Sequence, residues 1–204
     1  MSRIATRPVR GYRSQLRAQQ AEETRARILD ATVRVMAGGV ASVSIPAVAR
    51  EAGVSVPTIY RHFGTKRDLL AAVYPHLARL AGLTELVAPG SVDEFREMVR
   101  SLFGRLDSLG DPARAAMASP ASEEARRIMM PDRIAMSRRF AATIAPDARK
   151  ADRERIARLL LVLTTSSAMR VWRDYLGSSV DEAADDIDWV LRAAIASAAG
   201  RNDR

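Results

Sequence analysis

Two hexapeptides eleven residues apart carry the most informative chemistry in the chain. They are Val43-Ser44-Ile45-Pro46-Ala47-Val48 and Val54-Ser55-Val56-Pro57-Thr58-Ile59. Each reads as the start of a helix. The serine hydroxyl caps an otherwise unpaired N–H. The proline falls in the first turn, where its missing N–H costs little. The valine before the cap can staple onto the aliphatic residue five positions later. Between the two starts lies Ala52-Gly53-Val54-Ser55, and Gly53 can take the positive φ that ends a helix. Two short helices joined by so tight a turn form a helix-turn-helix. Its inward positions are Val48, Ala49, Val54, Ile59 and Phe63, set against Ile28, Ala31, Thr32 and Val35 of the preceding helix.

The outward positions of the second short helix are Val56, Pro57, Thr58, Tyr60, Arg61 and His62. They are polar, aromatic or basic, with no acid among them. Such a helix can enter a major groove, with Val56 and Thr58 toward base edges or thymine methyls and Tyr60 and His62 toward phosphate oxygens. Lys66 and Ser44, at neighbouring helix starts, can meet the backbone. Taken singly, Tyr60 is also read as a half-buried packing residue, His62 as a surface or core histidine, and Lys66 as a solvated cation. Their convergence on one face favours DNA.

The charge agrees with this placement. The net charge is +8 and the pI is near 10.8. Residues 1–68 hold 12 basic and 5 acidic side chains, whereas residues 69–204 hold 20 and 19. Arg3, Arg7, Arg10, Arg13 and Arg17 lie in the first 17 residues with no acid between them. They read either as a solvated tail or as an arm along phosphate or a minor groove, with Arg7, Arg10 and Arg13 as its contacts. There is no cysteine, and His62 and His76 are the two histidines. Thiolate and multi-histidine metal sites are thereby excluded. No cofactor, no metal and no catalytic residue is expected. No stretch is long and apolar enough to span a bilayer, and no secretory signal is present, so a cytoplasmic protein away from membranes is expected.

The surrounding elements read as helical throughout, near residues 19–37, 44–52, 55–62, 65–86, 91–109, 112–118, 120–129, 132–145, 149–176 and 180–199. Capping-box spacings at Thr65–Asp68, Ser91–Glu94 and Ser179–Glu182 mark three starts, and Pro131 and Pro146 mark breaks. The organisation expected is an arm over residues 1–18, a helix-turn-helix unit over 19–68 and a larger helical unit over 69–204.

The run Gly53-Val54-Ser55-Val56-Pro57-Thr58-Ile59-Tyr60-Arg61-His62-Phe63-Gly64-Thr65-Lys66, followed by Asp68-Leu69-Leu70, resembles the DNA-binding signature of TetR-family transcriptional regulators. The match covers about residues 22–72. The resemblance implies an all-α fold, a homodimer on a double-stranded operator, and a C-terminal domain that binds a small-molecule effector. It carries DNA contacts onto Ser44, Val56, Pro57, Thr58, Tyr60, His62 and Lys66. Pro46 stands where many members place a polar or basic side chain. Val56 stands where some place a polar reader, which leaves apolar readout there.

In the second half, Phe95, Met98, Leu102, Phe103, Met117, Met136, Phe140, Ser167 and Trp172 are read as walls of a pocket for a hydrophobic or amphipathic molecule. The bland alternative is an ordinary helical core. Ile156, Leu160, Leu163, Ser167 and Val171, with Ile187, Leu191, Ala194 and Ile195, form apolar stripes read as a dimer interface. Such a stripe buries either in its own domain or against a second copy. An enzyme and an architectural nucleic-acid binder are the rival readings. The first lacks a catalytic constellation, and the second leaves the near-neutral C-terminal half without a task.

Overall fold

The computed structural model describes the backbone of residues 9–85 and 89–200, and of these the side chains of all but 9–13 and 85. Among the described residues there is no strand. The order is α1 (Val9–Ala37), α2 (Ile45–Ala52), α3 (Val56–Phe63), α4 (Lys66–Leu80), a single 3-10 turn, α5 (Val92–Asp107), α6 (Asp111–Ala118), α7 (Ser122–Ile144), α8 (Lys150–Leu163), α9 (Ser166–Arg170), a π-helical turn (Val171–Tyr175) and α10 (Val180–Ala199).

Side-chain caps mark the starts of α3, α4, α5, α9 and α10. Thr65 and Asp68 form a complete capping box at the start of α4, as do Ser179 and Glu182 at the start of α10. At α5 only half the box closes. Ser91 accepts from the Glu94 N–H, while the Glu94 carboxylate accepts from Gly90 instead.

α1, α2, α3 and the first half of α4 make one packed unit, with Ile28, Val48, Ile59, Leu69 and Leu70 essentially without exposure. α1 also packs on α6, and α4 packs on α7, so two helices bridge the N-terminal unit and the rest. α7 lies along α8, and α10 lies along α5 and α8. His76 is buried on α4 between Asp30, 2.6 Å from its Nε2, and Arg79, 2.8 Å from its Nδ1. Arginine only donates, so Nδ1 accepts and Nε2 carries the proton given to Asp30. This chain of bonds pins α4 to α1.

Four boundaries differ from the sequence reading. Helix α1 begins at Val9, so residues 9–18, expected in an arm, continue a helix. Helix α4 ends at Leu80 rather than near residue 86. Pro131 does not break α7. The carbonyl it deprives of a partner is that of Arg127, four residues back on an exposed face, where water can serve it. The helix expected over 149–176 stops at Leu163. Thr164 Oγ1 donates back to the Leu160 carbonyl, and Thr165 accepts from the Ala168 N–H to start α9. Hydroxyl side chains here compete with the helical ladder.

Candidate nucleic-acid interface

The turn between α2 and α3 is built as its residues dictate. Gly53 sits at φ 64°, and its N–H and that of Val54 close the end of α2 on the Arg50 and Ala49 carbonyls. No side-chain or backbone atom crowds the position, so the need for glycine there is one of backbone conformation alone. Ser55 caps α3 by accepting from the Thr58 N–H at 3.3 Å, and its hydroxyl lies 2.9 Å from that of Thr58. Ser44 occupies the N-cap of α2 but makes no side-chain cap bond, which leaves its exposed hydroxyl free for another partner.

Helix α3 is held from beneath by Ile59 and Phe63, both buried. The Arg25 guanidinium of α1 lies 4.3 Å above the centre of the Phe63 ring and donates to the His62 carbonyl at 3.3 Å. A cation over an aromatic face and a bond to the last helical turn fix the angle of α3 against α1. The opposite face is open. Tyr60 is 45% exposed. Pro57 and Arg61 are exposed, and Val56, Thr58, His62 and Lys66 are half-buried. Burial and the nearby Arg61 and Arg25 charges lower the His62 pKa below its ordinary value, against a smaller raising effect of Glu22.

Ser44, Pro57, Thr58, Tyr60, Arg61, His62 and Lys66 thus lie outside the buried core of the N-terminal unit, whereas Val56 packs partly buried against it. Arg7 lies outside the described residues, as do the side chains of Arg10 and Arg13. Sequence reasoning missed a partner of Lys66: its Nζ is 3.0 Å from the Glu124 carboxylate in the first turn of α7. A charged residue 58 positions away leaves no local signal.

Residues 28–73 match the family model described as bacterial regulatory proteins, tetR family. Over those residues the chain is similar to the tetR family. Similar relatives include the HTH-type transcriptional regulator SrpR of Pseudomonas putida, 46% identical over 57 residues, which are 28% of this chain and 27% of that one. Another is the HTH-type transcriptional repressor KstR of Mycobacterium tuberculosis, 36% identical over 87 residues, 42% of this chain and 40% of that one. The chain therefore matches between about a quarter and two fifths of these relatives' length. The solved structure of the multidrug binding protein EbrR complexed with imidazole covers 84% of this chain and 89% of its own, at TM-score 0.53 and 21% identity. That likeness extends the shared fold beyond the tetR-family domain. The names of the matched relatives are those of regulators rather than enzymes.

Beyond the tetR-family domain, the residues read as pocket walls are scattered. A cleft of about 230 Å³ is lined by Leu106, Met117 and Met169, with Arg114, Arg170 and Arg173 beside them. Met117 is the one expected residue there. Phe103 and Trp172 line a smaller neighbouring cleft of about 140 Å³. Phe95, Met98, Leu102, Met136, Phe140 and Ser167 line neither. Phe95 is buried and stacks on Phe140 with ring centres 4.8 Å apart, Met98 and Leu102 pack against the core, and Met136 is exposed.

The residues expected at a dimer interface also divide between core and surface. Ile156, Leu160, Ile187 and Leu191 are buried within their own chain and cannot form an outer contact face. The periodicity found a stripe, but the stripe faces the chain's own core. Leu163, Ala194 and Ile195 are half-buried, and Ser167 and Val171 are exposed. The outward apolar side chains on these elements are instead Val162, Tyr175, Leu176 and Trp189, with Val171. No helix among the described residues is long and apolar enough to cross a membrane.

Proposed function

We propose that the protein is a homodimeric transcriptional repressor that binds a double-stranded DNA operator and leaves it when a small hydrophobic or amphipathic molecule binds its C-terminal domain. One observation carries this reading. Helix α3 is anchored rigidly by Ile59, Phe63 and Arg25, while its acid-free outer face is presented to solvent. Thr58 and Val56 meet base edges near the start of that helix, and Pro57 supports apolar readout. Tyr60, Arg61, His62, Ser44 and Lys66 hold phosphates and set the register. Arg7, Arg10 and Arg13 add contacts from before the domain.

The second copy docks on the outward faces of α8 and α10, where Val162 is 64% and Trp189 71% exposed. Leu163, Ala194 and Ile195 at their margins, and Ser167 and Val171 beside them, extend that contact. The small effector enters the cleft beside Met117 and Met169. Helix α4 is the lever, because it begins at Lys66 and packs on α7. A differential affinity of a few kcal/mol between the two arrangements is enough. The names of KstR, a repressor, and EbrR, a multidrug binding protein, agree with this reading.

Fluorescence-anisotropy titrations test it. Duplex recovered by selection should bind more tightly than scrambled duplex by about three orders of magnitude or more, with both affinities falling as salt rises. Equal affinity for any duplex supports the architectural reading instead.

A further inference from the structure

Helices α4 and α7 enclose a cluster of donors that the reading above does not use. Tyr74 projects from α4, and its hydroxyl oxygen is buried with no well-formed hydrogen bond, although Arg126 and Ser122 interact with it. Arg126 and Arg133 come from α7, two turns apart on one face, and both act electrostatically on that hydroxyl. Ser122 lies beside Tyr74, but its hydroxyl is directed to the Ser119 and Met117 carbonyls at 2.7 and 3.1 Å. Arg126 likewise donates to the Met117 carbonyl, and its nearest acid is Glu123 at 3.8 Å. Among the described residues Arg133 has no carboxylate partner within ion-pair distance and makes no hydrogen bond, although it is half-buried.

This arrangement costs free energy as it stands. A guanidinium withdrawn from water needs a counter-charge, and two of them on one face repel. Burial pushes the Arg133 pKa down, Tyr74 acts against that, and the Arg126 charge adds a smaller lowering. Burial pushes the Tyr74 hydroxyl up, so it keeps its proton and can donate. The cluster therefore offers guanidinium forks and a phenolic O–H, with the Met117 carbonyl, the Tyr74 oxygen and the Glu123 carboxylate at 3.8 Å as its acceptors. Guanidinium forks match carboxylate and phosphate oxygens in geometry as well as in charge.

We propose that Arg126, Arg133 and Tyr74 form a binding site for an oxyanion, a carboxylate or phosphate group, at the seam between α4 and α7. The seam has a direct link to the DNA-binding domain. Glu124, which holds Lys66, precedes Arg126 by two residues, and Tyr74 stands on the helix that Lys66 begins. An anion drawn into the seam pulls α7 against α4 and shifts the Lys66–Glu124 contact. Anion binding follows from the cluster alone, whereas its effect on operator affinity rests on the proposed function.

The test is isothermal titration of the full chain with three probes: sodium octanoate, inorganic phosphate and 1-octanol, at constant ionic strength. Saturable binding of octanoate or phosphate that depends on Arg133, with any octanol binding independent of it, is the expected result. Octanoate alone identifies an organic acid, and phosphate identifies a phosphorylated species. Arg133→Gln should weaken that binding by about tenfold or more, and Tyr74→Phe by a smaller factor. Circular dichroism checks that each variant is folded. Should Arg133→Gln not fold, Arg126→Gln replaces it, with the same loss expected. No binding of either anion up to about 10 mM overturns the proposal. So does unchanged anion affinity in a folded arginine variant, or octanol binding that the same variant weakens equally. Failure of operator binding in the separate anisotropy assay leaves these outcomes readable.

Discussion

Lys66, the first residue of α4, is held by Glu124 in the first turn of α7 at 3.0 Å, so the side chain proposed to meet the DNA backbone is tethered to the C-terminal half of the chain. A phosphate and the Glu124 carboxylate would compete for the same ammonium group. Both side chains are more than a third exposed or close to it, and solvent screening keeps the pair worth less than ~1 kcal/mol. Glu124→Gln should therefore raise operator affinity by about two- to fivefold, read by anisotropy. Lys66→Ala should lower affinity and reduce the salt slope by about 1. An unchanged affinity in Glu124→Gln would mean that the contact plays no part in DNA binding.

The two faces of α3 should respond oppositely to truncation. Tyr60→Ala removes an exposed side chain, so the thermal midpoint should hold while operator affinity falls by about tenfold, a loss of ~1.4 kcal/mol. Ile59→Ala empties a fully buried position and should cost about 2–5 kcal/mol of stability, measured by urea unfolding. A Tyr60 variant that unfolds early, or an Ile59 variant as stable as the parent, would reverse the assignment of faces.

That contrast was readable in the sequence because the signals are local. Gly53 ends α2, Ser55 caps α3 and Thr65 opens α4, each within a few residues of the element it shapes. The C-terminal half was less legible for the same reason. Ile187 and Leu191 lie on an apolar stripe, but periodicity states only that a stripe is buried, not which surface buries it. The Pro131 break failed because the turn it disturbs lies at the exposed Arg127, a fact of tertiary placement. The Thr164-Thr165 interruption did have a signal: four consecutive hydroxyl residues from Thr164 to Ser167 can cap or compete with a helix.

His62 gives a pH dependence with a definite sign. In the free protein its pKa is lowered by burial and then by Arg61 and Arg25. A phosphate beside it would favour the cation and raise that pKa in the complex. A group whose pKa rises on binding favours the complex at low pH. Operator affinity should thus begin to rise as pH falls through the bound-state pKa, and level off below the free-state one. His62→Asn should remove that component in anisotropy titrations across pH. A parent profile that matches His62→Asn would place His62 away from phosphate.

The exposed face of α10 can be tested without DNA. Trp189→Arg should convert a dimer to a monomer in analytical ultracentrifugation while leaving helicity intact, since the side chain lies outside the core. A variant that sediments like the parent would move the interface elsewhere.

Selection of bound duplexes from a random pool addresses the central claim most directly. A two-fold dimer carrying one α3 per subunit should enrich two inverted half-sites with centres about one helical turn apart, or a multiple of it. Tyr60→Ala should lose the enrichment. A pool that stays random after repeated rounds, or single half-sites with no fixed spacing, would contradict it.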